Sequence, residues 1–181
     1  WRYSPEMVGN WLFEGPIHLF DLARWYFTPV GEPESIFAGA NSRDPEQTGL
    51  EQNFTAQLDF PRGAQAVVSQ TTSGFEHQQS VRITGTRGAL TATWNGTMDR
   101  TRSPVESLRL FDGHRIEEIA LDRPSGEMLE LREFLYATAN SIRDGYALPV
   151  STTDACWAVS LCEAARRSIN VGLPVVLSPW E

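Results

Sequence analysis

The sequence predicts an α+β fold: an open, largely antiparallel β-sheet with helices packed on one face. Three observations predict it. A helical periodicity near the amino end is followed by a run of alternating segments, and two longer helical periodicities close the chain. The alternating segments are separated by short turn sequences, the pattern of hairpins. Strands and helices are segregated along the chain, an order that favours helices gathered on one side of an antiparallel sheet.

The first helix is predicted from Pro16. Proline has no N–H to donate and a φ suited to the first helical position, and Gly15 precedes it. Ile17, Phe20, Ala23, Tyr26 and Phe27 then recur at helical spacing, and Pro29 stops the helix because the residue before a proline avoids the helical basin. A strand follows over 34–40. From 53, NFTAQLDF alternates strictly, with Phe54, Ala56, Leu58 and Phe60 on one face and Asn53, Thr55, Gln57 and Asp59 on the other. PRG turns the chain and AQAVVSQTT returns. SVRITG and ALTATW form a second hairpin around the turn within GTRG. SLRLF and HRIEEIAL form a third, with Asp112-Gly113 suited to a type I′ turn. The stretch 97–106 reads as an exposed loop. Met128, Leu131, Phe134, Leu135, Thr138 and Ile142 form the stripe of the next helix, which Gly145 ends. Ser151 or Thr152 caps the last helix, Ala155, Ala158, Val159, Cys162, Ala165 and Ile169 form its buried face, and Gly172 stops it. LPVVL reads as a short final strand.

A length of 181 residues suggests one domain with a core large enough to stand without staples. The amino end has no basic segment followed by an apolar one, so it does not read as a secretory signal, and no run is long enough to cross a membrane. Trp1 is not an initiator methionine, so the chain reads as a piece of something longer. A net charge of −8 disfavours a nucleic-acid or anionic-membrane partner. There is no lysine, which excludes a Schiff-base lysine, a lysine general acid and a Walker-type phosphate site within this chain. Cys156 and Cys162 are too far apart on a helix for a disulfide and read as small, reduced core residues, consistent with a cytoplasmic protein.

The outward strand faces carry Thr55, Gln57, Gln65, Ser69, Thr71, Ser80, Thr84, Thr91 and Thr93 with few charges. A neutral, hydroxyl- and amide-rich face suits a wet interface with another subunit or a polar ligand, and strand propensity also favours threonine. The interface reading predicts pairing of two copies through strands 53–60, 64–72, 79–84 and 89–94.

The chemistry gathers at GNWLFEGPIHLFD. His18 is the group whose unperturbed pKa suits proton transfer near neutral pH. Glu14 lies one helical turn earlier, and Asp21 lies three residues later on the same face. The helix N-terminus favours a neutral imidazole and ionised carboxylates. The same residues also fit a histidine that makes one buried hydrogen bond and nothing more. Spacing alone allows a metal on Glu14, His18 and Asp21, but no second histidine is nearby, so no metal is expected. His77 and His114 read as surface groups. Trp11 precedes the helix and can wall a site by stacking on an apolar sugar face.

GNWLFEGPIHLFD resembles the motif of the Gfo/Idh/MocA oxidoreductases, in which glycines, an aspartate, a histidine and a second aspartate follow at set spacing. AQLDFPRGAQAVV is similar to that family's hairpin entry, VRITGTRGALTATW to its GT-x-G-x-L hairpin, and the stretch from LREFLYATAN to GLPVVL to its closing helix pair. The resemblance runs in order along nearly the whole chain. It implies two domains, a Rossmann dinucleotide-binding domain followed by an α/β domain with an open sheet. This chain, residues 1–181, matches only the second. It lacks the strand–GxGxxG–helix unit of a Rossmann domain and the family's lysine, so the resemblance implies a substrate-binding and oligomerisation domain whose Rossmann partner is absent from the chain.

What the resemblance implies about function is specific. His18 exchanges a proton with the substrate hydroxyl while hydride moves between that carbon and NAD or NADP, bound mainly by the other domain. Glu14 stands where the family has aspartate and shares the catalytic position. Asn10, Trp11 and Asp21 bind substrate. The substrate is a sugar or cyclitol, the enzyme pairs through its sheet, and the isolated chain is expected to be inactive. Glu14 and the reduced glycine entry at Gly9-Asn10 also fit a non-catalytic ligand-binding or regulatory relative of the same fold.

Overall fold

In the computed structural model, which describes residues 4–42, 50–74, 77–96, 105–122 and 126–178, the order of elements is that of the sequence pattern. It runs α1 (Pro5–Val8), a 3-10 turn over Trp11–Phe13, α2 (Pro16–Phe27), β1 (Ser35–Asn41), β2 (Asn53–Phe60), β3 (Ala64–Thr71), β4 (Gln79–Gly85), β5 (Gly88–Trp94), β6 (Glu106–Phe111), β7 (Ile116–Glu118), α3 (Glu127–Asp144), α4 (Thr152–Val171) and β8 (Val175–Val176). The α+β class and the antiparallel pairing are those predicted. The strands do not form one continuous meander. They divide into two four-stranded sheets, β3-β2-β1-β8 and β4-β5-β6-β7. The chain likewise divides into two compact units, Trp1–Ser73 with Val150–Glu181, and Gly74–Pro149.

The first unit contains the core. Alternation in β2 buries Phe54, Ala56, Leu58 and Phe60 and turns Thr55 and Gln57 outward. Ile36 and Ala38 of β1 and Val68 of β3 continue the buried face. Helices α2 and α4 cover it. Phe20 of α2 meets Phe54 edge-on at 5.5 Å, and Phe27 stacks on Phe60 at 4.3 Å. These contacts explain why α2 starts and stops as its prolines dictate: its apolar stripe must stay in register with alternate residues of β2. Tyr26 departs from the predicted stripe and is exposed.

Helix α4 is capped as predicted. The Ser151 side chain accepts from the Asp154 amide, and the Asp154 carboxylate accepts from the Ser151 amide, a reciprocal capping box. Gly172 closes the helix in the left-handed region at φ 68°. Its buried face is rotated from the predicted one. Trp157, Ala158, Leu161, Cys162, Ala164, Ala165 and Ser168 are buried, while Ala155 and Val159 are exposed. The larger apolar residues Trp157 and Leu161 set the face, and the small residues follow on either side. Ser168 is fully buried yet satisfied: its hydroxyl accepts from the Ala38 amide at 2.9 Å and donates to the Leu173 carbonyl at 2.7 Å. That one side chain ties α4 to β1 and to the turn leading into β8.

The second unit holds the other sheet. Gly85 and Gly88 pair across the two-residue turn between β4 and β5. A side chain at 88 would put its Cβ 2.1 Å from the Phe111 carbonyl oxygen, so the β5–β6 approach requires glycine there. The Asp112-Gly113 turn is not the predicted two-residue type I′ turn. Phe111 pairs with Ile116, so the connection is residues 112–115, and Asp112 organises it by accepting the amides of His114 and Arg115, both at 2.9 Å. An aspartate that bonds its own following amides favours this wider loop. Helix α3 ends at Gly145 as predicted, φ 74°. Its predicted stripe forms, but Met128, Leu131, Phe134, Leu135 and Ile142 are exposed rather than buried. Most of the predicted loop over 97–106, residues 97–104, lies outside the described residues.

Candidate functional site

The site is built where the chain enters α2. Asn10, in extended backbone, caps the 3-10 turn: its Oδ1 accepts the Leu12 amide at 2.8 Å. It is 7 % exposed, and its Nδ2 reaches toward Glu51 Oε2 at 3.4 Å. Glu14 closes the turn by donating its amide to the Trp11 carbonyl at 3.0 Å, and its side chain is half-buried. Gly15 and Pro16 then start α2. The His18 amide donates to the Gly15 carbonyl at 3.1 Å, and the His18 side chain is exposed.

One turn further on, Asp21 is half-buried, and its carboxyl is held above its ordinary value. Burial is the main cause, the negative charge of Asp154 adds to it, and the charges of Arg24 and His18 oppose it. His18 and Asp21 therefore feel one another across a helical turn. Arg24 organises this side of α2. Its Nε and Nη2 donate to the two Glu32 carboxylate oxygens, both at 2.6 Å, and its Nη1 donates to Asp154 Oδ1 at 2.5 Å. The guanidinium lies 5.8 Å from the Trp157 ring centroid. Asp154, taking hydrogen bonds from Ser151 and Arg24, titrates at about 2.

A cleft opens at the other side of the helix entrance. Asn10, Trp11, Leu12 and Pro16 form one wall. Glu51 and Gln52 just before β2, Phe54 within it, Gln70 of β3 and Thr72 just after it form the other wall of this small, open cleft. Residues two apart on a helix do not share a face, so Pro16 points into the cleft while His18 points elsewhere. The structure thus divides the residues singled out in the sequence. Asn10 and Trp11 line the cleft. Exposed His18 and half-buried Asp21 lie on the side of α2 that carries Arg24. Glu14 lies on the link between them and is not among the cleft-lining residues.

Four cleft residues, Glu51, Gln52, Gln70 and Thr72, come from forty or more residues downstream and were not singled out in the sequence. One signal for them exists. Ala64, Ala66, Val68 and Gln70 occupy alternate positions of β3 on the inward side, and Gln70 alone is polar. A glutamine ending an apolar inward row marks the point where the core gives way to something wet. Gly15 belongs with it: a Cβ there would lie 2.6 Å from Gln70 Nε2, so the absent side chain makes room for the amide.

His77 and His114 are exposed, as predicted, and His77 meets Trp94 edge-on at 6.1 Å. Cys162 is buried, donates to the Leu12 carbonyl at 3.3 Å, and its thiol is pushed up to about 12 by burial, which makes it inert. Cys156, predicted to be a core residue, is exposed, because the rotated face of α4 turns it outward. Among the described residues, no group of three or more His, Cys, Asp or Glu could hold a metal ion, and no helix is long and apolar enough to cross a membrane.

Residues 1–91 match the family model described as GFO/IDH/MocA C-terminal domain. No curated protein matches the chain. Solved structures share its fold. The aldose–aldose oxidoreductase of Caulobacter crescentus, complexed with glycerol, superposes with a TM-score of 0.76 at 22 % identity, over 98 % of this chain and 50 % of that one. An oxidoreductase from Agrobacterium radiobacter, in complex with NAD+, L-tartaric acid and magnesium, gives 0.69 at 19 % identity over 91 % and 48 %. A protein from Desulfitobacterium hafniense described as an NADPH-dependent oxidoreductase gives 0.74 at 18 % identity over 97 % and 51 %. The chain spans about half the length of each.

Proposed function

The chain belongs to the GFO/IDH/MocA C-terminal domain family, and on that premise we propose that it is the substrate-binding and dimerisation domain of an NAD(P)-dependent oxidoreductase. The reaction is hydride transfer to or from a hydroxyl-bearing carbon of a sugar or cyclitol. One observation carries the reading: the matched region contains an exposed imidazole, His18, at the start of a helix, electrostatically coupled to Asp21.

The chain's own part is proton traffic. An exposed histidine in the first turn of α2 can take the proton of a substrate hydroxyl at an imidazole nitrogen and return it in the reverse direction. Asp21 stabilises the imidazolium that forms, and Arg24, pinned by Glu32 and Asp154, holds that face of α2 against α4. The residues present do not fit a dinucleotide. The chain has no glycine-rich strand–helix turn to hold a pyrophosphate. The nicotinamide that accepts or gives the hydride belongs, in this reading, to a second domain.

The neighbours support the reading: one is complexed with glycerol, a polyol, and another with NAD+ and tartaric acid, which carries hydroxyl-bearing carbons. Dimerisation rests on the outward face of β1, β2 and β3. Asp59 accepts from Ser35, Gln57 and Gln65, Thr71 donates to Asn53, and Asn53 donates to Asn41. Asp59 carries a charge, but three neutral donors already hold it and the other named groups are uncharged, so the face is desolvated at moderate cost.

The test is the full-length natural protein assayed against sugars and cyclitols with NAD+ and NADP+, following absorbance of the reduced nicotinamide. Turnover of at least one polyol supports the reading. Absence of turnover across the panel, with binding retained, favours the non-catalytic relative instead.

A further inference from the structure

We infer that Asn95 is a site of spontaneous covalent modification: its side-chain amide is lost through attack by the Gly96 backbone nitrogen, leaving aspartate or isoaspartate at the end of β5. Neither His18 nor oxidoreductase activity enters into this.

The sequence supplies one such pair. Asn95 alone among the asparagines precedes a glycine; Asn41 and Asn140 precede serines, and the others precede Trp11, Phe54 and Val171. A side chain on the following residue crowds the approach of its own amide nitrogen to the asparagine Cγ. Glycine has no such side chain and reaches backbone conformations that other residues rarely adopt. Gly96 sits in one of these, at φ 136°. The fold restrains other asparagines. Asn53 donates from Nδ2 to Asn41 Oδ1 at 2.8 Å and accepts from the Thr71 hydroxyl at 2.6 Å. Asn140 lies inside α3, where the next amide is taken up by the helix's own hydrogen bonds.

The structure places the other parts of the reaction. Asn95 follows the last residue of β5 and is exposed, and Val105 precedes the first residue of β6. The Asn95 amide donates to the Val105 carbonyl at 3.1 Å, and the Val105 amide donates to Asn95 Oδ1 at 2.9 Å. The side-chain carbonyl thus serves as the acceptor in the last rung of the β5–β6 ladder, and the bond it accepts polarises Cγ. The Gly96 nitrogen gives its proton to hydroxide and bonds to Cγ. Negative charge then gathers on Oδ1, where a donor already points, and is stabilised there. The Cγ–Nδ2 bond breaks, and the nitrogen takes a proton from water and leaves as ammonia. Water opens the resulting five-membered imide at Cγ to give aspartate, or at the Asn95 main-chain carbonyl carbon to give isoaspartate. The sum is one water consumed and one ammonia released, with no oxidant or reductant. Aspartate keeps an acceptor for Val105 and adds a negative charge next to the Trp94–Glu106 pair, whereas isoaspartate routes the main chain through Cγ and lengthens it by a methylene.

The experiment ages the full-length natural protein at mildly alkaline pH, once folded and once unfolded in urea. Peptide masses report each asparagine, and enzymatic methyl transfer marks isoaspartate. In the folded protein Asn95 should convert at least as fast as in urea, while Asn53 and Asn140 stay intact. Val105→Pro lacks the N–H that donates to Oδ1. It should slow conversion of the folded protein by about tenfold, the worth of one hydrogen bond, and leave the rate in urea unchanged. Gly96→Ala should slow conversion in urea as well, a reading that does not depend on whether the variant folds. Slower conversion of Asn95 in the folded wild type than in urea would overturn the inference, as would a folded Val105→Pro variant that converts at the wild-type rate. Should that variant not fold, the folded-against-urea comparison on the wild type decides alone.

Discussion

Asp154 shows how one residue serves both helix α4 and the side of α2 that carries Arg24. Its carboxylate takes the Ser151 amide and hydroxyl as well as Arg24 Nη1, and these hydrogen bonds hold its pKa at about 2 against an ordinary 3.8. A depressed folded pKa contributes stability that is complete above the unfolded value and is lost as pH falls through the folded one. Thermal melts of the wild type and of Asp154→Asn should therefore differ most at neutral pH, and the gap should close between about pH 5 and 2. A gap that is constant across that range would mean the charge contributes nothing. Asp21 runs the other way. Its raised pKa opposes folding of the ionised form, so its contribution weakens as pH rises past the ordinary carboxylate range. At this scale the sequence was informative for local chemistry and silent on distant partners. His18, Asp21 and Ser151 lie within segments whose spacing singles them out, and Asn10 was singled out through the family resemblance. Arg24 with Glu32 and Asp154, or Gln70 with Gly15, are pairings made by tertiary packing, and no local periodicity encodes them.

Helix α4 is the element on which the first unit closes. Its Ser168 hydroxyl accepts from a buried amide of β1 and donates to a part-buried carbonyl after the helix at the same time. Ser168→Ala removes both bonds and leaves the buried Ala38 amide without this partner. That should cost about 1–3 kcal/mol, a fall in Tm of roughly 2–12 °C for a chain of this size. Unchanged melting would show that water replaces the hydroxyl. Element boundaries were largely legible, because Pro16, Gly145, Ser151 and Gly172 act through backbone geometry that any fold must respect. The buried face of α4 was less so. Alanines at helical spacing suggested one stripe, and the larger Trp157 and Leu161 rotated it, since burial of apolar area outweighs the regularity of small residues. In α3 the amphipathic stripe was correctly read, but a stripe says what a helix has to cover and not what covers it.

At the scale of the whole molecule, alternation told which residues face in and which face out, but not that the strands belong to two sheets. A hairpin pattern specifies each strand's nearest partner and leaves open whether consecutive hairpins join edge to edge. The proposed dimer face is accordingly argued on the first unit alone. Val67 and Phe37 stand exposed in an otherwise amide- and hydroxyl-rich surface, both paired across Gln57 in register. Val67→Glu places like charges close to a twofold contact through that surface, and sedimentation should show dissociation relative to the wild type. A wild type that sediments as a monomer at high concentration would refute the interface. The central claim is that His18 moves the proton in a polyol oxidoreduction, and kcat of the full-length protein with His18→Ala measures it most directly. The variant should lose about 10²–10⁴-fold in kcat with Tm unchanged; a variant that keeps its kcat while losing Tm would make His18 a structural residue instead.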